Sequence, residues 1–315
     1  VSRLPWGWLA AALLAGGIAW EAGRRLRSTV RWAAGAGAAG AVLIALPLVA
    51  VPGGDALEIH VLDVGQGDAV AIRTPAARWV VIDAGPRSDG WDAGVRRVLP
   101  FLRARGATRV EVLILTHPHA DHIGGAPALL RGMEVGRLVE PGFAAGSRLY
   151  LETLETAEER GVPWSAARAG RTLRLDGVEL RILLPEPQML DAVADANEIS
   201  AVTLLRFGHF GALFTGDAGE REEAHLVERH GGELRVQLLK AGHHGSRTST
   251  SPGLLAAAEP ELAVISAGRR NRYGHPAPEV VRRLERRGVA VARTDREGTV
   301  SIRARADGTW DRLRP

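Results

Sequence analysis

The segment Thr116-His117-Pro118-His119-Ala120-Asp121-His122-Ile123-Gly124-Gly125 places three histidines and an aspartate within six residues, directly after the apolar run Val112-Leu113-Ile114-Leu115. Such a run, closed by a Gly pair, reads as a buried strand whose end opens through a loop into a helix. Imidazole and carboxylate donors crowded at one strand end are the ligand set of zinc or manganese. The chain has ten His in 315 residues and no Cys. Chance therefore accounts poorly for the cluster, and thiolate zinc sites, disulfide scaffolds and cysteine nucleophiles are excluded.

After Gly54, apolar segments of strand length recur between Gly, Pro and Asp. Strands are predicted at 57–64, 69–74, 79–83, 110–116, 137–140, 172–175, 179–184, 201–207, 212–215, 236–239, 262–266, 290–293 and 300–303. Helical patterns fall at 94–104, 125–131, 147–159, 220–229, 253–257 and 279–287. Paired strands followed by strands alternating with helices give a mixed α/β layer architecture. Residues 55–315 show no linker and read as one domain. The composition, 46% hydrophobic and 24% charged, excludes a disordered chain or a coiled coil.

Residues 1–54 read as a membrane segment. No charge occurs from Ala33 to Gly54, long enough to span the roughly 30 Å hydrocarbon core of a bilayer. A second uncharged run, 4–20, carries Trp6, Trp8 and Trp20 near its ends, where interfacial aromatics belong. Two transmembrane helices, about 4–20 and 33–54, are therefore predicted. The loop between them holds Arg24, Arg25, Arg27 and Arg31. The positive-inside rule places that loop in the cytoplasm, and residues 55–315 outside the cytoplasm at the cell (inner) membrane. The formal net charge of +4 lies in this segment, five Arg against Glu21.

The spacing of the His cluster resembles the signature of the metallo-β-lactamase superfamily. That resemblance implies an αββα sandwich with the metal site at the sheet edges, here preceded by two membrane spans. Val80-Val81-Ile82-Asp83-Ala84-Gly85 resembles the family's first motif, whose Asp orients the site. Phe214-Thr215-Gly216-Asp217 resembles the motif whose Asp bridges two metals. Leu239-Lys240-Ala241-Gly242-His243-His244-Gly245-Ser246 resembles the last ligand motif. His243 is preferred as ligand and His244 as its orienting or substrate-facing neighbour, because a ligating His normally has a partner. The family's usual His between the first cluster and the bridging Asp is missing. His209 sits at a predicted hairpin turn, and Asn197-Glu198-Ile199-Ser200 opens the strand where that His would stand. The resemblance thus implies one site of His117, His119, Asp217 and Asn197, a second of Asp121, His122, Asp217 and His243, and two divalent ions, Zn²⁺ or Mn²⁺.

A narrower resemblance covers 55–315. Leu62-Asp63-Val64-Gly65-Gln66-Gly67-Asp68-Ala69, Asn197 with Ser200, Gly242–Ser246 and Asn271-Arg272-Tyr273-Gly274-His275-Pro276 resemble motifs of the ComEC-type competence proteins, the DNA-internalisation channels of bacteria. It implies a membrane-tethered nuclease degrading one strand of incoming DNA, single-stranded or duplex. Two spans are too few for a channel, so the channel belongs to a separate membrane protein or to a further domain of the same protein. The resemblance also implies Asp121 and Asp83 as the catalytic-site carboxylates. His275 is a candidate for phosphate contact or leaving-group protonation, or a turn residue. Lys240 is a candidate phosphate cation or simply a strand-end residue. Asp68, Ser200, His244 and Ser246 are candidate substrate contacts, Asp68 alternatively a turn former. Nine Arg between 269 and 296 either track a phosphate backbone or form a solvated helix face. Two other functions stay open. One is hydrolysis of a small or cell-wall substrate, such as a phosphocholine ester or a β-lactam. The other is a catalytically silent module of an uptake channel.

Overall fold

The structure, a computed structural model, describes residues 55–143 and 146–313. The two predicted spans, 4–20 and 33–54, lie outside the described residues. Among the described residues no helix is long and apolar enough to cross a membrane.

One sheet is built from β1 (Ala56–Val61), β2 (Val70–Arg73), β3 (Trp79–Ile82), β4 (Val112–Ile114), β5 (Leu138–Glu140), β6 (Trp164–Ala166), β14 (Val300–Arg305) and β15 (Trp310–Leu313), in the order β6-β5-β4-β3-β2-β1-β14-β15. The other contains β7 (Thr172–Leu175), β8 (Val178–Leu184), β9 (Val202–Phe207), β10 (Phe210–Phe214), β11 (Leu238–Lys240), β12 (Leu262–Ile265) and β13 (Ala290–Arg293), in sequential order.

The strands read as continuous apolar runs because both faces of each sheet are covered. Residues alternate between layers with the two-residue period of a strand. Val80 and Ile82 face the interior between the sheets, with Ile59, Ile114, Leu180, Phe210, Phe214 and Val264. Trp79 and Val81 point the other way, toward the helices α1 (Leu99–Ala104), α3 (Ala126–Gly132) and α4 (Arg148–Glu159). On the far side Leu213, Leu239 and Ala263 meet α5 (Glu220–His230), α6 (Pro252–Ala258) and α7 (Pro278–Arg286). The result is the αββα sandwich that the sequence implied.

Pairing puts the chemistry at one rim. β3 and β4 are parallel, as are β10, β11 and β12. Their carboxyl ends therefore emerge together, and the loops after them carry Asp83, His117–His122, Asp217, His243–His244 and Ser266. β2 runs antiparallel to β3 with Val70 opposite Ile82. The turn before β2, which holds Gly67 and Asp68, thus reaches the same rim.

Three expectations need correction. The helix predicted at 94–104 divides into a wide-turn segment, Gly94–Val98, and α1. Pro100 has no N–H to continue the ladder, so the helix opens there. The edge strands β6 and β15 lie where no strand was predicted, because Trp164 and Trp310 stand in short, partly exposed segments without clear alternation. A short helix, α2 (Ala120–Ile123), occupies the His cluster itself.

Candidate metal centre

Asp83 ends β3 in the left-handed region, φ 59°, which for a non-glycine residue costs on the order of 1–3 kcal/mol. That conformation aims its carboxylate across the sheet. Oδ1 accepts the Thr116 N–H at 2.8 Å, and Oδ2 accepts the Thr116 hydroxyl at 2.8 Å. His122 Nδ1 lies 2.8 Å from the same Oδ2. A carboxylate on one ring nitrogen fixes the tautomer and presents the other nitrogen. His122 Nε2 accordingly points at Asp217 Oδ1, 3.2 Å away.

The motif Gly242–Ser246 is bent more sharply. His243 and His244 are both left-handed, φ 46° and 54°, and this turns both imidazoles toward the rim. His244 is buried. Its Nδ1 is 3.1 Å from the Ser266 carbonyl and 3.2 Å from Asp68 Oδ1. Its Nε2 is 3.2 Å from Asp121 Oδ2 and 3.5 Å from Asp217 Oδ2. His243 is half-buried, its Nε2 3.6 Å from Asp217 Oδ2. The sequence favoured His243 as ligand over His244. The structure instead puts His244 in the buried cluster and His243 at its open side.

One ligand atom each from Asp68, His122, Asp217 and His244 lies within 4.8 Å of all the others. His117 adjoins this quartet, its ring 4.1 Å from that of His122. His119 Nδ1 is 3.1 Å from His117 Nε2. Asp121, partly exposed, closes the outer side.

The quartet fits a divalent cation on an observation internal to the structure. His122 Nε2 and Asp217 Oδ1 are buried and face each other without forming an aligned hydrogen bond. Both are left to share a third atom. The protonation of the cluster agrees. Burial opposes charge on His122, but Asp217, Asp83 and Asp121 outweigh it and raise its pKa well above the usual range. Burial likewise opposes charge on His244, yet Asp217, Asp68 and Asp121 bring it up to about 10. Asp217 is held well below the carboxylate range, the His122 and His244 charges overcoming its burial. Buried imidazolium–carboxylate contacts of this kind put protons where a dication would displace them.

The remaining candidates are placed as follows. Lys240, read as a phosphate cation, is buried and ion-pairs with Asp68. Asp68, read as a substrate contact, is buried as a member of the quartet itself. Its own burial raises its pKa, but Lys240, His244 and His122 lower it to about 2. Ser200, also read as a substrate contact, is buried and its Oγ accepts the Asp217 N–H at 3.1 Å. Ser246 Oγ lies 2.9 Å from Thr248 Oγ1, within its own turn. These four placements share a cause: at a rim closed by two sheets, polar side chains short of the opening hold their neighbours. Asn197 lies in the short helical turn Ala196–Ile199, and its Oδ1 is buried without a partner. His275 sits at the open side, its ring centroid 5.8 Å from His243 and 6.4 Å from His244. Its Nδ1 is unpartnered.

The Lys240–Asp68 pair was missed by sequence reasoning, since its members are 172 residues apart. Gly67 offered the only signal. A Cβ there would sit 2.2 Å from the Asp121 carbonyl, so glycine is what allows the Asp68 turn to press against the metal loop.

A two-sheet, four-layer sandwich with a His/Asp cluster at one rim defines the metallo-β-lactamase superfamily, and residues 62–181 match the model of that family, "Metallo-beta-lactamase superfamily". The chain belongs to that superfamily, and its curated relatives include a competence protein. It is 34% identical over 258 residues to ComE operon protein 3 of Bacillus subtilis (strain 168), covering 78% of this chain and 33% of that protein. It is 35% identical over 253 residues to competence protein ComA of Neisseria gonorrhoeae, covering 80% of this chain and 33% of that one. The chain thus spans about a third of the length of these relatives. Among solved structures, CmlA, a diiron β-hydroxylase from Streptomyces venezuelae, shares the fold at 18% identity and a TM-score of 0.53, covering 83% of this chain and 55% of that one.

Proposed function

We propose that the chain is a membrane-tethered, metal-dependent phosphodiesterase that hydrolyses DNA during its uptake, degrading one strand while a channel-forming partner or domain takes the other. The observation that carries the hydrolase reading is the buried quartet Asp68, His122, Asp217 and His244 with Asp121 at its mouth. A relative named as a competence protein supports DNA as substrate.

Divalent ions bound there would neutralise charge on a phosphoryl group and supply an acidified water. The protein's own part is orientation. Asp83 fixes the His122 ring, and Asp68 with the Ser266 carbonyl fixes His244. The Ser200 hydroxyl fixes the backbone of Asp217. His275 has its pKa lowered by burial and by the neighbouring His244 and His243. That favours the neutral ring, which would offer an N–H to a phosphate oxygen. Tyr273, 55% exposed, stacks on His275 and presents an aromatic face beside that contact.

The test is a nuclease assay on the full 315-residue chain in detergent. With Mn²⁺ or Zn²⁺ it should cleave labelled DNA. Chelation should stop cleavage, and Asp121→Ala should slow it by at least about 100-fold. Cleavage of a small phosphodiester but not of DNA would favour the small-substrate reading. No cleavage of either would mark a silent module.

The tether rests on the uncharged runs 4–20 and 33–54. A periplasm-dependent reporter fused to the carboxyl terminus should be active in cells, with the protein in the membrane fraction. A reporter active only in the cytoplasm would refute the two-span topology.

A further inference from the structure

A hairpin beside the metal cluster carries chemistry that the reading above does not use. Arg87 and Ser88 pair antiparallel with Asp92 and Trp91. Their turn, Asp89-Gly90, puts Gly90 at φ 78°, in the region that suits glycine. Trp91 is half-buried, and the guanidinium carbons of Arg96 and Arg97 lie 5.4 and 5.7 Å from its ring centroid. The hairpin, Val95 and Arg96, and Arg148 with Leu149 of α4 line an open cavity of about 710 Å³. Ala120 forms part of its wall. That residue stands between His119 and Asp121, so the cavity opens beside the loop that carries the candidate ligands.

Three carboxylates share the cavity, and two of them are engaged. Glu152 is bound by Arg87 at 2.5 Å and by Arg131 at 3.2 Å. Asp92 Oδ1 accepts the Val95 N–H at 3.0 Å. Asp89 lies at the exposed tip of the hairpin. Arg96, Arg97 and Arg148 form no ion pair among the described residues. Val95, 55% exposed, adds apolar surface next to the indole. The Arg96 and Arg97 guanidiniums lie over the indole and form no ion pair, so aromatic surface and phosphate-binding charge stand together as in sites for single-stranded nucleic acid, and a base stacking on Trp91 would displace them toward its phosphates.

We infer that this cavity is a subsite for the single strand leading to or from the metal cluster, with Trp91 stacking a base and Arg96, Arg97 and Arg148 contacting its phosphates. The inference rests on the DNA reading above. In a duplex the bases are stacked on one another and offer the indole no free face, so the subsite selects for the unpaired strand.

The test uses the full chain in detergent and EDTA, with fluorescence anisotropy of a labelled oligothymidylate of about 15 nucleotides, near the upper span of single-strand sites, and of the same length of duplex. The wild type should bind the single strand more tightly than the duplex. Trp91→Ala should weaken single-strand binding by about tenfold or more, and Trp91→Phe should restore most of it. The double variant Arg96→Ala/Arg97→Ala, confined to exposed side chains, should lower the dependence of log affinity on log salt by roughly 0.7 per lost phosphate contact. A wild type that neither binds the oligonucleotide nor cleaves it with Mn²⁺ would overturn the DNA reading. A wild type that binds it, with both the folded Trp91→Ala and the double variant binding equally well, would overturn the subsite and leave that reading standing.

Discussion

Asp217→Asn is expected to abolish stoichiometric metal binding and to cut hydrolysis by well over 100-fold. The carboxylate meets three imidazoles: Oδ1 lies 3.2 Å from His122 Nε2, and Oδ2 lies 3.5 Å from His244 Nε2 and 3.6 Å from His243 Nε2. Asp217 thus joins the loops after β4 and β11 through three imidazoles. The amide keeps the shape but turns one acceptor oxygen into a donor and removes the charge that a dication and both buried histidines depend on. Groups that only orient a ligand typically cost about 10–100-fold when changed. Asp83→Asn, which leaves every ligand in place but frees the His122 ring, should fall within that lower range. Metal-dependent turnover of a phosphodiester by the two variants checks the ranking. Equal losses would mean that Asp217 does no more than orient.

Lys240→Met is expected to destabilise the fold by about 3–5 kcal/mol, the usual consequence of stranding one member of a buried ion pair. In a domain of this size that lowers the melting midpoint by on the order of 10 °C. Lys240 and Asp68 are each 2% exposed and bonded to one another. The pair ties the end of β11 in one sheet to the turn before β2 in the other and anchors the Asp68 member of the quartet. With the ammonium gone, the Asp68 carboxylate stays buried with only imidazole partners. The double variant Lys240→Met/Asp68→Asn removes both charges and should recover most of the lost stability, because the penalty lies in the unpaired charge rather than in the loss of the pair. Thermal melting of the single and double variants in EDTA decides it. A single variant that melts with the wild type would show that Asp68 is solvated or protonated, contrary to its placement here.

The sandwich and the location of its chemistry were legible in the sequence because each functional loop follows an apolar run with two covered faces. Val80–Ile82 before Asp83, Leu113–Leu115 before His117, and Leu238–Leu239 before Gly242–His244 are such runs. Dense ligand residue types at strand ends survive errors of one or two residues in the strand boundaries. What the sequence hid depends on direction rather than on position. His243 and His244 are adjacent, and only their two left-handed backbone conformations decide which imidazole is buried. Ser200, Asp68 and Lys240 lie beside the cluster, yet whether such a side chain faces substrate or supports a ligand depends on contacts that span 17 and 172 residues. The Trp91 hairpin lay outside every motif, although Ser88-Asp89-Gly90-Trp91 carries the Asp-Gly pair that signals a short turn.

The most direct test is equilibrium dialysis of the full chain, in detergent, against micromolar Mn²⁺ and Zn²⁺, followed by elemental analysis. One to two ions per chain are expected, displaced by acid and absent from folded Asp217→Asn. A wild-type protein that retains no stoichiometric ion, or one whose metal content is unchanged by Asp217→Asn, would contradict that expectation.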